Sequence, residues 1–209
     1  MVEVKVMPYS EKYALVLDSI KLSETFAPAF VQKHLGAQAV EELRSIWQEG
    51  VKPVPEDASD EEKYEVAYSN FIWMGRSNLG FIRSRMGEGG IEELKHEEVE
   101  ALKKANASPS LLVLKLLRAI SPGYAFAMTA KQMAYKMQWI TPFSTDELTK
   151  SRAVYSIPRC KVLDFPDVDD ICVIGCQSVY PAWFAEQFGV EMKFERQGNS
   201  CTCTVTPLR

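Results

Sequence analysis

The hydrophobic pattern changes period part-way along the chain, and that change constrains the fold more than any other feature. Up to about residue 140, apolar residues recur every three to four positions, the spacing of helices that bury one face. From about residue 150, apolar and polar residues alternate, as they do in strands. Helices followed by a small antiparallel sheet make an α+β fold rather than a wound α/β sheet. The 209 residues suit a single domain. Its helical part is 1–140 and its sheet part is 141–209.

Val2, Val4 and Val6 alternate with charged residues and suggest a short edge strand. Ser10 is placed to cap a first helix, and Glu24 to Leu35 reads as a second, with Pro28 near its start and Gly36 at its end. A third helix covers Ala37 to Glu49, and the proline-bearing stretch 50–60 is a linker. Asp60 then caps a long helix through Gly87, in which Gly75 and Gly80 each cost about 1 kcal/mol relative to alanine. Residues 89–106 are highly charged and predict an exposed helix, with Glu100 and Lys104 at a favourable spacing. Ser108-Pro109 and Ser121-Pro122 open two more helices, the last ending before Pro142. Strands are expected around Val154, over Val190 to Glu195 and over Thr202 to Thr206, with a hairpin turn at Gln197 to Ser200 and a short helix from Tyr180 to Phe188.

The net charge is −4 and no basic stripe is present, which argues against a general nucleic-acid binder. No signal-like segment and no long uncharged apolar run appear. The expectation is a cytoplasmic protein without a membrane partner, for which a homo-oligomer is compatible. In a reducing compartment the odd number of cysteines disfavours disulfides. All five lie in the last quarter: Cys160, Cys172, Cys176, Cys201 and Cys203. They are candidate ligands for zinc or an iron–sulfur cluster, candidate nucleophiles, or buried structural thiols. Neither Cys172/Cys176 nor Cys201/Cys203 has the usual two-residue gap of a zinc ribbon.

The two histidines do not make a metal site; His34 suits a helix C-terminus and His96 a solvated run. Arg76 and Arg83 are seven residues apart on the long helix, hence near one face, and could clamp a substrate carboxylate or pair with nearby acids. Trp73, Phe126 and Trp139 are candidates for the wall of an apolar pocket, or simply core.

The run CVIGCQSVYPAWFAEQFGVEMKFERQGNSCTCTVTP resembles the end of the L-2-amino-thiazoline-4-carboxylic acid hydrolase-like family and is similar to the 4-vinyl-reductase-type ligand-binding domains. The helical half shares only the order of elements. The resemblance implies a small-molecule hydrolase opening a cyclic C–N or C–S substrate that bears a carboxylate. A thiol among Cys172, Cys176 and Cys203 would be the nucleophile, assisted by Glu195 or Asp170, with Arg76 and Arg83 as the clamp. The alternative is a non-catalytic small-ligand-binding module with a structural metal, zinc or iron–sulfur, on its cysteines. The zinc-binding members carry a Glu two residues before a cysteine; here Glu195 precedes Cys201 at a different distance.

Overall fold

In the computed structural model, residues 4–107 and 109–208 are described. Six helices precede or flank a four-stranded antiparallel sheet. Helices α1 (Tyr9–Leu35), α2 (Ala37–Gly50) and α3 (Asp60–Ala105) form a helical layer, followed by α4 (Pro109–Ile120) and α5 (Pro122–Lys136). Strands β1 (Ser144–Leu148) and β2 (Ala153–Ile157) come next. A π-helical segment, Ile171–Val179, leads directly into α6 (Tyr180–Phe188), and β3 (Val190–Gln197) and β4 (Ser200–Pro207) close the chain.

The α+β reading holds, as does the β3–β4 hairpin across Gly198, whose φ of +60° suits glycine. Several local expectations are corrected. Val2 and Ser108 lie outside the described residues, and residues 4–8 form no strand. The two expected helices over Ser10–Leu35 are one, starting at Tyr9, with Pro28 buried in its interior rather than at its start. Packing along α3 outweighs the lost N–H of that proline. The cap of α3 is Ser59, not Asp60: its hydroxyl accepts from the Glu62 N–H while the Glu62 carboxylate accepts from the Ser59 N–H.

The expected exposed helix at 89–106 is the second limb of α3, set off by a kink at Gly87 with φ +67°. It is not a solvated helix. Ile91, Leu94, Val99 and Leu102 are buried in the core with Ile174 and Val179. Burying each of them is worth roughly 1.5–3 kcal/mol, more than a charged outer face opposes. Lys103 rather than Lys104 pairs with Glu100, at 2.7 Å. Strand β1 goes beyond the expected strands, because its polar sequence STDEL finds its partner only once β2 lies beside it.

The sheet order is β1-β2-β4-β3. Its inner face carries Ala153, Tyr155, Val190, Met192, Cys203 and Val205, covered by Phe126, Ala130, Met133 and Ala134 of α5. The Tyr155 hydroxyl donates to the Ala130 carbonyl at 2.8 Å, fixing helix to sheet. Along the strands toward Gly198, the same inner face continues with Phe194, Arg196 and Cys201, and there it meets the π-helical segment.

Candidate functional site

The segment ICVIGCQSV is rich in β-branched residues, which crowd a regular helix. It takes the wider π-helical turn, with the Tyr180 N–H donating to the Gly175 carbonyl five residues back. Ile171, Ile174 and Val179 face α3, with the Ile171 side chain packed beside Gly75. Long π-helical runs are rare and frequently mark functional sites.

Three arginines hold the acidic loop that leads into this segment. Arg83 of α3 bonds Asp170 and, at 2.6 Å, Glu88. Arg76 donates to the Pro166 carbonyl at 3.1 Å, lies 3.8 Å from Asp167 and stacks on Trp73. Arg196 of β3 pairs with Asp169 at 2.6 Å. Arg76 and Arg83 therefore spend their charge on the protein's own carboxylates, and the expected substrate clamp is not formed. The acidic run Asp164, Asp167, Asp169 and Asp170 was the sequence signal for this role.

The expected apolar pocket is also dispersed. Phe126 packs under the sheet, Trp139 lies in a separate cluster with Tyr68 and Val162, and Trp73 is half-buried against Gly50, donating to the Ile46 carbonyl at 3.3 Å.

The cysteines gather at the hairpin end of the sheet. The Cys160 N–H donates to the Asn199 carbonyl at 2.8 Å, which ties its loop to the β3–β4 turn. Cys201 is opposite Ile157, the last residue of β2. Cys172 is reached by Arg196 and by the Gln177 amide. Each of Cys172, Cys176 and Cys201 feels the charge that others of the group would carry, and Cys160 acts on all three. Cys203 is fully buried in the sheet core opposite Tyr155.

Burial raises the thiols of Cys172, Cys176 and Cys203 above the ordinary value, and pushes Cys201 up to about 11. Arg196 works the other way at Cys172, but burial outweighs it. Burial therefore holds these thiols further toward the protonated form than free cysteines. Among the described residues, no three His, Cys, Asp or Glu side chains are disposed to hold one metal ion. As arranged, the residues do not fit zinc or an iron–sulfur cluster. Glu195 alternates to the outer, exposed face of β3 and pairs with Lys193 at 2.7 Å, so it does not reach Cys172 or Cys176.

Sequence reasoning missed three residues farther in. Tyr180, one helical turn after Cys176, lies near both Cys176 and Glu98, and its hydroxyl is held protonated mainly by burial. Glu98 has its carboxyl pushed up to about 7 by burial, with no cation beside it among the described residues. The Trp183 ring centroid is 6.4 Å from that of Tyr180, and its indole N–H is buried without a hydrogen-bond acceptor among the described residues. The spacing Cys176, Tyr180, Trp183 places the three on one helical face, a signal that was available in the sequence.

No protein-family model matches the chain. No curated protein matches it either. Among solved structures, the chain is similar to the crystal structure of a point mutant of the H-NOX protein from K. algicida in its Fe(II) unliganded form. The two are 10% identical, the alignment covers 90% of this chain and 96% of the other, and the TM-score is 0.38.

Proposed function

We infer that this chain is a non-catalytic binding module for a small molecule, held where α3, the π-helical segment and α6 meet around Glu98, Cys176, Tyr180 and Trp183. One observation carries this reading: the buried indole N–H of Trp183 has no acceptor among the described residues. Buried donors are almost always paired, and leaving one unpaired costs about 1–3 kcal/mol. A ligand offering an acceptor would relieve that penalty. Glu98, with no cation beside it and a carboxyl near neutrality, can donate or accept beside Tyr180. The aromatic rings of Tyr180, Trp183, Phe184 and Phe188 supply an apolar wall.

The hydrolase reading lacks its parts. It requires a thiolate, an assisting carboxylate and a free arginine clamp, whereas burial disfavours the thiolates, Glu195 is on the far face, Asp170 is held by Arg83, and Arg76 and Arg83 are engaged. The test combines thermal shift with a panel of small aromatic alcohols and amides and an assay of 2-amino-thiazoline-4-carboxylate turnover. Stabilisation by a panel member that Trp183→Phe weakens at least five-fold supports the module. Turnover that Cys176→Ala abolishes overturns it, as does a panel without any effect.

A further inference from the structure

Helix α4 leaves large apolar side chains uncovered. Leu112, Val113, Leu116 and Ile120 are 66%, 65%, 66% and 82% exposed. Their spacing puts them on one face. The other apolar residues of this helix, Leu111, Leu114 and Leu117, are half-buried, and the helix packs on α5 and α6. Arg118 reaches toward α6. Its guanidinium lies against Gly189, the left-handed residue that ends α6, where the helix carbonyls favour a cation. On α5, Tyr124 and Met128 are a further exposed pair one turn apart.

Charge is distributed unevenly around this hairpin. The chain has 28 acidic residues and a net charge of −4, yet none of the acids lies between Ala101 and Thr145. That stretch carries Lys103, Lys104, Lys115, Arg118, Lys131 and Lys136. Only Lys103 of these is ion-paired among the described residues, with Glu100 and Glu186. Lys115 is exposed and flanks the apolar stripe.

We propose that the α4–α5 hairpin docks on an anionic lipid surface, with Leu112, Leu116 and Ile120 entering the acyl boundary and Lys115 meeting the headgroup charge. An exposed apolar stripe edged by unpaired cations fits a bilayer whose headgroups are negative and whose interior is apolar. A two-fold dimer through the same face would set the unpaired cations of this acid-free stretch against each other, which like charge opposes. An acidic protein would need an apolar groove of its own to cover four aliphatic side chains. The contact is peripheral: no helix of the described residues is long and apolar enough to cross a membrane. The expectation of no membrane partner rested on spanning segments, and this surface is of a different kind.

The experiment is co-sedimentation of the full chain with phosphatidylcholine vesicles, with and without phosphatidylserine, alongside sedimentation velocity without lipid. The expected result is binding to the phosphatidylserine vesicles alone, reduced at least ten-fold by Leu116→Glu. Lys115→Glu and 0.5 M salt should each weaken it about five-fold. Circular dichroism checks folding, and Ile120→Ser carries the test if Leu116→Glu fails to fold. Three outcomes overturn the proposal: no binding to either vesicle, equal binding to both, or a lipid-free dimer that Leu116→Glu dissociates. The last would assign the face to a second copy.

Discussion

Arg196 on β3 and Asp169, at the entrance to the π-helical segment, are joined by a 2.6 Å ion pair. The same guanidinium reaches the Cys172 thiol, so one side chain both fastens the sheet to the segment and tunes a cysteine. Replacing it by Arg196→Gln removes the influence that lowers the Cys172 pKa and leaves burial unopposed. Because the thiolate is the reactive form, alkylation of Cys172 by iodoacetamide at pH 8 should slow several-fold. Peptide mass spectrometry over a time course reads this directly, and an unchanged or faster rate would show that Arg196 shields the thiol rather than activating it.

Glu98 gives stability an unusual pH dependence. Its carboxyl rises from the ordinary 4.5 to about 7 in the folded chain, so between those values the folded state keeps a proton that the unfolded state has released. Stability from this group therefore falls as pH rises from about 4.5 to 7 and levels off above. Glu98→Gln should remove that slope and stabilise the protein at pH 8 by about 1–2 kcal/mol, less than the full equivalent of the shift because Glu98 is only half-buried. Urea denaturation at pH 5 and pH 8 tests it; parallel losses in variant and wild type would acquit Glu98.

Gly189 serves α6 twice. Its φ of +62° is left-handed, and a Cβ there would meet the Arg118 guanidinium. Gly189→Ala should cost about 1 kcal/mol for the backbone and about 1 kcal/mol more for displacing Arg118. In an Arg118→Ala background only the backbone part should persist, so the double-mutant cycle has a coupling of about 1 kcal/mol. Full additivity in chemical denaturation would separate the two residues.

The five thiols should not respond alike to substitution. Cys203 is wholly buried between Tyr155 and the sheet core, so Cys203→Ser places an unpaired hydroxyl there and should cost about 1–3 kcal/mol. Cys172 is half-buried at the edge of the segment, and Cys172→Ser should cost less than about 1 kcal/mol. Equal losses in guanidinium melts would mean that the cysteines act as one unit.

Residues with local signatures were legible from the sequence. The apolar period through Tyr64, Tyr68, Ile72 and Ile82 required a helix, and Gly198 between alternating runs required a hairpin, because backbone sterics and side-chain periodicity act over a few residues. The gathering of Cys160, Cys172, Cys176 and Cys201 near one end of the sheet needed the fold. Cys160 and Cys201 are brought there by the Cys160–Asn199 bond and the β2–β4 register, and Cys172 by the reach of Arg196 from β3. Tertiary structure alone decided which partners the charges find. Glu97 and Glu98 are neighbours in one charged run and both are half-buried, yet Glu97 pairs with Lys33 and His34 while Glu98 lies near Tyr180. That difference arises from α6 packing across one side of α3, a long-range contact whose energy depends on the shape of both elements. Arg76 and Arg83 follow the same logic: their spacing on one helix is local, but both also reach a loop more than eighty residues away in sequence.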